Sequence, residues 1–325
     1  GDFEKYESDP VGNLRYLTRR NGARIEFDYD NLDRLIEKIV PEAIGIDASH
    51  TRDVAYSWDL AGRLTSALYA GTSYGVSFTY DTMGRPLTET QNIDGTARTL
   101  TSSYEVDGWR TSLTHPDSNV VSYERDLLGG LLQTRVNGLQ LTQHLFDEFS
   151  RPTKIERWDV TDGTYNQRAE ADYLASTRLG SIDTDLASTS ADLLRAFAYN
   201  RAGQITSVAS SNDAYAWDGA VTVDRPYTPD RLNQYDTVAG IDFTYDAAGN
   251  LVSDGSSSYL YDLENRMIGA SVGGYTTALH HDPLGRLWRT TSNRPGYGQT
   301  DYLWDGWDMV AEYGAGGTMT NRYIH

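Results

Sequence analysis

Carboxylates recur along this chain of 325 residues at Asp59, Asp81, Asp147, Asp246, Asp262 and Asp282, each directly after Trp, Tyr, Phe or His. Two carboxyl groups held about 5 Å or about 6.5–9.5 Å apart could hydrolyse a glycosidic bond. A carboxylate that instead caps a turn accepts backbone N–H groups, and its lowered pKa suits it poorly to acid catalysis. Equivalent placement in every copy favours the caps. Gly71-Thr72-Ser73-Tyr74-Gly75 has the letters of a nucleophile elbow, but the residues after it alternate like a strand where an elbow needs a helix. It reads as a hairpin loop. His280 and His281 are neighbours, and adjacent strand residues face opposite sides, so they are poorly placed to share a metal and His281 reads as a packing residue. No complete calcium loop and no Walker or dinucleotide fingerprint is present. The expectation is a chain with no catalytic residues, no metal and no cofactor.

The elements that carry these carboxylates are copies of one motif. Trp58-Asp59-Leu60-Ala61-Gly62-Arg63, Tyr80-Asp81-Thr82-Met83-Gly84-Arg85, Tyr245-Asp246-Ala247-Ala248-Gly249-Asn250, Tyr261-Asp262-Leu263-Glu264-Asn265-Arg266 and His281-Asp282-Pro283-Leu284-Gly285-Arg286 are the clearest. Looser copies begin at Tyr29, Tyr104, Arg125, Phe146 and Tyr199, with a period of roughly 21 residues. Upstream of the motif, Val76, Phe78 and Tyr80 alternate with Ser77 and Thr79, as Ile241, Phe243 and Tyr245 do with Asp242 and Thr244, which is the signal of a half-buried strand. Asp-x-x-Gly is a tight turn, because Asp accepts nearby N–H groups and Gly tolerates positive φ. Each copy is therefore a β-hairpin. A lone hairpin is marginal in water, so the copies must pair side by side, and a twisted sheet of that length must coil. The predicted fold is all-β, with tandem hairpins forming a long coiled antiparallel sheet that is part of a hollow spiral shell.

These units resemble the YD repeats of the RHS family, which includes bacterial polymorphic toxins, insecticidal toxin-complex C components and the teneurins. The most specific parts are Arg231-Leu232-Asn233-Gln234-Tyr235, the copy at Tyr261 to Arg266, and the run from Tyr302-Leu303-Trp304-Asp305-Gly306 through Glu312-Tyr313 to Arg322-Tyr323-Ile324-His325. The resemblance implies one array over residues 1–325 in which 302–325 leads into an absent core segment. It implies a secreted or cell-surface bacterial protein whose shell encloses and helps deliver a C-terminal toxin effector of the same polypeptide in bacterial competition. Partners would be that effector, the core segment and secretion-apparatus proteins. The alternative within the family is an adhesion module that binds carbohydrate or protein. Some relatives cut themselves at an Asp-Pro-x-Gly-type motif. Asp9-Pro10-Val11-Gly12 and Asp282-Pro283-Leu284-Gly285 fall in register with ordinary repeats and take no such role.

A formal charge of -18 disfavours non-specific attraction to nucleic acid or anionic lipid. It serves solubility, or it forms an acidic lining for a basic passenger; charge alone leaves both open. The absence of cysteine excludes disulfide and thiol chemistry. No apolar run is long enough for a membrane helix, and the first residues lack the features of a signal peptide. The repeat begins almost at residue 1, with Asp9 to Leu14 as a first degenerate copy, so the chain is expected to be a piece of a longer polypeptide. Two stretches depart from the pattern. Around 155–195, Tyr173 to Leu179 lacks the Asp and is expected to shift the turn, while Asp185 to Leu194 could be a short helix or a loop. In residues 32–53 the run Leu32 to Ile39 fits a strand pair or about one and a half helical turns, and the flanking copies favour strands. Met319 to Ile324 is expected to be an exposed strand edge.

Overall fold

The computed structural model describes residues 3–161, 163–186 and 189–325. These form thirty short strands and three single-turn 3-10 segments, with no α-helix among the described residues. Eighteen strands make one antiparallel sheet between Lys5 and Ser210, three make a small sheet between Tyr227 and Asp242, and nine make the sheet from Thr244 to Arg322. The fold is all-β with tandem antiparallel hairpins. The first strands are β1 (Lys5–Ser8), β2 (Leu14–Thr18), β3 (Arg24–Tyr29), β4 (Leu35–Ile39), β5 (Val54–Trp58), β6 (Leu64–Tyr69), β7 (Gly75–Tyr80) and β8 (Pro86–Ile93).

Every motif closes a hairpin in the same way. At Asp81 the backbone N–H donates to the Arg85 carbonyl at 2.9 Å, and the Gly84 N–H donates to the Asp81 carbonyl at 3.1 Å. Gly84 has φ +89°, so the loop is a type I turn followed by a left-handed residue. One residue before the turn the pairing slips, from Thr79 opposite Thr88 to Tyr80 opposite Pro86. This bulge bends the strand and increases its twist. The same slip precedes the turns after Tyr29, Trp58, Phe146, Tyr199, Tyr261 and His281.

Two expectations need correction. The turn at Leu174 is not shifted: its N–H donates to the Arg178 carbonyl, Thr177 N–H donates to the Leu174 carbonyl, and Thr177 takes the glycine's place at φ +66°. Backbone hydrogen bonds close this turn without the Asp. In residues 32–53 only Leu35–Ile39 is a strand; the remainder is loop with a 3-10 turn at Ala48–His50, capped by the Asp47 side chain. Pro41 and Gly45 interrupt the pattern, and Asp53 Oδ1 takes the Val40 N–H that a strand partner would otherwise hold. Between Asp185 and Leu194 the structure has a 3-10 turn at Thr189–Ala191, while Ala187 and Ser188 lie outside the described residues. At Met319–Arg322 the last strand pairs with Asp308–Gly314.

By compactness the chain divides into two units, Gly1–Leu100 with Val223–His325, and Thr101–Thr222. In the first, the core includes Val54, Ala67, Tyr69 and Ile93 of the early strands together with Trp288 of the late ones. In the second, Leu113, Val121, Val136 and Leu193 are buried.

Candidate functional site

Each motif aspartate is a saturated cap. Asp81 Oδ1 accepts the N–H groups of Met83 and Arg85, both at 2.9 Å, and Oδ2 accepts Arg85 Nε at 2.6 Å. These bonds, led by the Arg85 backbone N–H, hold the Asp81 carboxyl below the usual carboxylate range. Asp59 with Arg63, Asp147 with Arg151, Asp262 with Arg266 and Asp282 with Arg286 repeat the arrangement, and Asn250 replaces the arginine at Asp246. A carboxylate that accepts two backbone N–H groups and a side-chain N–H in this way clamps its turn.

The arginine does a second job. Arg34 Nη1 donates to the Asp59 carbonyl at 2.9 Å, and Arg63 Nη1 to the Asp81 carbonyl at 3.0 Å, so each turn is tied to the next. Gln234 at the turn Asp230 to Gln234 reaches the Gly249 carbonyl in the same sense. The aromatic ties backwards. Trp58 Nε1 donates to the Leu35 carbonyl, Tyr80 OH to Leu64, Tyr173 OH to Pro152, Tyr199 OH to Leu179 and Trp304 Nε1 to Leu287, each time the residue after the preceding turn's arginine. That arginine also lies over the same ring, with Arg63 Cζ 4.8 Å from the Tyr80 centroid and Arg151 Cζ 4.1 Å from that of Tyr173. The motif thus couples neighbouring hairpins as well as closing one, and Tyr and Trp suit its first position because they carry a donor.

Within the first unit the late hairpins press their turns onto the early strands, and polar groups meet there out of water. Arg286 bonds Asp282 at 2.8 Å and Glu89 at 2.7 Å, all three buried, and it also donates to the Gly306 carbonyl. Glu89 Oε2 takes the Gly306 N–H at 2.9 Å. Burial pushes the Glu89 carboxyl up despite Arg286. A second cluster joins Lys38 to Glu264 at 2.7 Å and Arg266 to both Asp262 and Glu264. Burial opposes ionisation of Glu264, yet Lys38 and Arg266 hold its pKa below the usual range. A third places Asp301 between Arg289 and Arg98, with Asp94 on the far side of Arg289. Gln91 Nε2 donates to the Tyr302 carbonyl at 2.6 Å, and Tyr69 OH to that of His281.

Three histidines lie in this contact. His280 stacks on His50 with ring centroids 4.9 Å apart and planes 18° from parallel. His281 lines a cleft with Lys38, His50, Arg52, Glu264 and Arg266 whose free volume of about 10 Å³ is on the order of one water. Burial, then Arg266, lowers the His281 pKa to about 4. Burial pushes Tyr69 up to about 12. Among the described residues no cluster of three or more His, Asp or Glu could hold a metal ion. Gly71 to Tyr74 lie in the connection between β6 and β7; Gly75, the first residue of β7 at φ +145°, lies so close to the neighbouring strand that an added Cβ would be 2.3 Å from the Ala67 carbonyl.

Sequence reasoning singled out the motif residues and missed their opposite numbers: Lys38, His50, Tyr69, Glu89, Gln91, Arg98 and Asp301. None belongs to the turn motif. A charged residue at an inward strand position, such as Glu89 between Thr88 and Thr90, is the faint signal available.

A protein with this ladder of clamped hairpins belongs, by fold, to the tandem β-hairpin repeats. No family model and no curated protein matches the chain. Among solved structures it is similar to a crystal structure of TcdB2-TccC3-TEV, with a TM-score of 0.62 and 12% identity over 95% of this chain and 21% of that one. It is also similar to a Photorhabdus luminescens Tc holotoxin pore carrying a TccC3 mutation, with a TM-score of 0.45 and 14% identity over 96% and 20% of the two chains. The chain spans about a fifth of the length of the chains it matches. Over this stretch it shares with the TcdB2-TccC3-TEV structure an all-β fold of tandem antiparallel hairpins. No helix among the described residues is long and apolar enough to cross a membrane.

Proposed function

We propose that this chain is a non-catalytic stretch of an RHS-repeat shell that encloses a toxic C-terminal effector of the same polypeptide and helps a bacterium deliver it. The observation that carries the reading is the fold shared over 95% of the chain with a toxin-complex structure. The saturated aspartates support the non-catalytic part, since each carboxylate is already committed to backbone N–H groups and in most copies an arginine. The partner is then the effector, and the protein is a secreted or injected one. Limited proteolysis tests this: the effector in the full-length polypeptide should outlast the same effector made separately and mixed with residues 1–325. Equal rates of digestion would discard enclosure in favour of the adhesion module.

A further inference from the structure

Between β4 and β5 the chain makes a loop whose hydrogen bonds are its own. The Asp47 side chain accepts the Ser49 N–H at 2.8 Å, the N–H groups of Ile46, His50 and Thr51 donate to carbonyls three residues back, and Arg52 Nε donates to the Ser49 carbonyl. At its base Asp53 holds the Val40 N–H, and Arg52 lies over the Tyr69 ring of β6 with Cζ 3.7 Å from the centroid. Among the described residues no hydrogen bond or ion pair joins residues 41–52 to the late strands. The directional contact between them is the stack of His50 on His280.

That stack sits at a groove. His280 belongs to the strand Tyr275–His281, and Ala278, two residues back, shares its face. On that face Leu260, Gly269, Ala278 and Thr291 stand in register across four strands and line a groove of about 670 Å³, to which the loop contributes Gly45, Asp47 and His50.

Both rings are half-buried. One proton on the pair is tolerated, since a cation is attracted to a neighbouring ring face. A second puts two like charges 4.9 Å apart where water screens them poorly. Around His50, Arg266 also opposes protonation while Asp47 and Asp262 favour it; around His280, Arg289 and Arg52 oppose it while Asp94 and Asp47 favour it. Lys38, Glu264 and His281 complete the charged surroundings. Burial is the first cause that lowers the pKa of both rings below 6.5, so the stack is intact above that pH and is lost as pH falls through the lowered values.

We propose that residues 41–52 are an acid-released strap: a second proton on the His50–His280 pair lifts the loop from the late strands and opens this end of the groove, while both sheets stay paired. The release is local because the other ties between early and late strands, Arg289 and Arg98 with Asp301 and Gln91 with the Tyr302 carbonyl, lie on other elements.

The chain has no cysteine, so Ile44→Cys on the fully exposed tip of the loop and Tyr275→Cys on the late strand can carry a pair of spin labels. Pulsed electron resonance should give a narrow distance distribution at about pH 7.5, and one longer by about 5 Å or more at about pH 4.5, within reach of a freed loop of this length. Far-UV circular dichroism should be the same at both. Either His50→Phe or His280→Phe keeps an aromatic stack and limits the pair to one charge, so each should hold the loop down at the lower pH. Glu89 and His281 are untouched in these variants, so their titration is not what the variants remove. An unchanged distance in the wild type overturns the proposal, as does equal release in both phenylalanine variants. Release that comes only with loss of the strand signal overturns it too, because acid would then act on the whole unit.

Discussion

The turn at Asp81 and the turn at Asp282 have the same hydrogen bonds, with Oδ1 accepting two backbone N–H groups at 2.9 Å in each and Oδ2 accepting arginine Nε at 2.6 and 2.8 Å. Their surroundings differ completely. Met83 at the tip of the first is 68% exposed, whereas Asp282 is fully buried and Arg286 nearly so. Local chemistry therefore builds the hairpin, and burial decides what the same ion pair is worth. At Asp81 and Arg85, half-buried at 16% and 24% side-chain exposure, water still competes for the pair, while a fully buried pair that loses one partner leaves a stranded charge.

The largest expected effect sharpens that comparison. Asp282→Ala leaves Arg286 with Glu89 alone inside the contact and should cost about 3–5 kcal/mol in chemical denaturation. Asp81→Ala, at an equivalent but open turn, should move the midpoint far less. Equal shifts would mean that turn closure, and not burial, sets the stability of the late hairpins.

Acid should act on the late contact before it acts on the half-buried caps of the early turns. The His281 pKa lies at about 4 when folded, below the ordinary 6.5, chiefly through burial, and His50 and His280 are lowered for the same first reason. The unfolded chain then binds more protons below pH 6.5, so the contribution of these histidines is present above 6.5 and is lost as pH falls from there towards 4. Lys38, Arg52, Arg266 and Arg289 near the rings oppose protonation, and Asp47, Asp94, Asp262 and Glu264 favour it. The clamps at Asp59 and Asp81 have carboxyls held below 3.8 and lose their contribution only in stronger acid. A melting temperature that is flat from pH 6.5 to 4, or an unchanged slope in His281→Phe, would contradict this order.

The smallest effect belongs to the backward tie. Tyr80→Phe keeps the ring beneath Arg63 and removes only the bond from the hydroxyl to the Leu64 carbonyl, for about 0.5–1.5 kcal/mol in a denaturant titration. A larger loss would give the ladder between hairpins more weight than the turns themselves.

Much of this was legible without coordinates. Alternation at Val76, Phe78 and Tyr80 and the Asp-x-x-Gly turns identify hairpins because both are properties of a few consecutive residues. Leu174 to Arg178 was misread because the side-chain cap is dispensable once the backbone closes the turn, and Thr177 adopts the left-handed conformation usually left to glycine. The alternation at Leu32 to Ile39 gives a strand at Leu35–Ile39 but not a strand pair, because beyond it Asp53, thirteen positions away, takes the Val40 N–H in a loop.

The sequence by itself determined the hairpin, its turn, the aspartate clamp and the need to stack copies, since each depends on residues within one repeat or on the marginal stability of a lone hairpin. Only the tertiary structure decided that Asp282 is buried while Asp81 is not, that Glu89 and Lys38 are the partners of late turns, and that His50 stacks on His280. Those pairs are separated by 197, 226 and about 230 positions. Period and motif are alike at both ends of such contacts, so nothing local distinguishes a turn that meets water from one that meets a sheet.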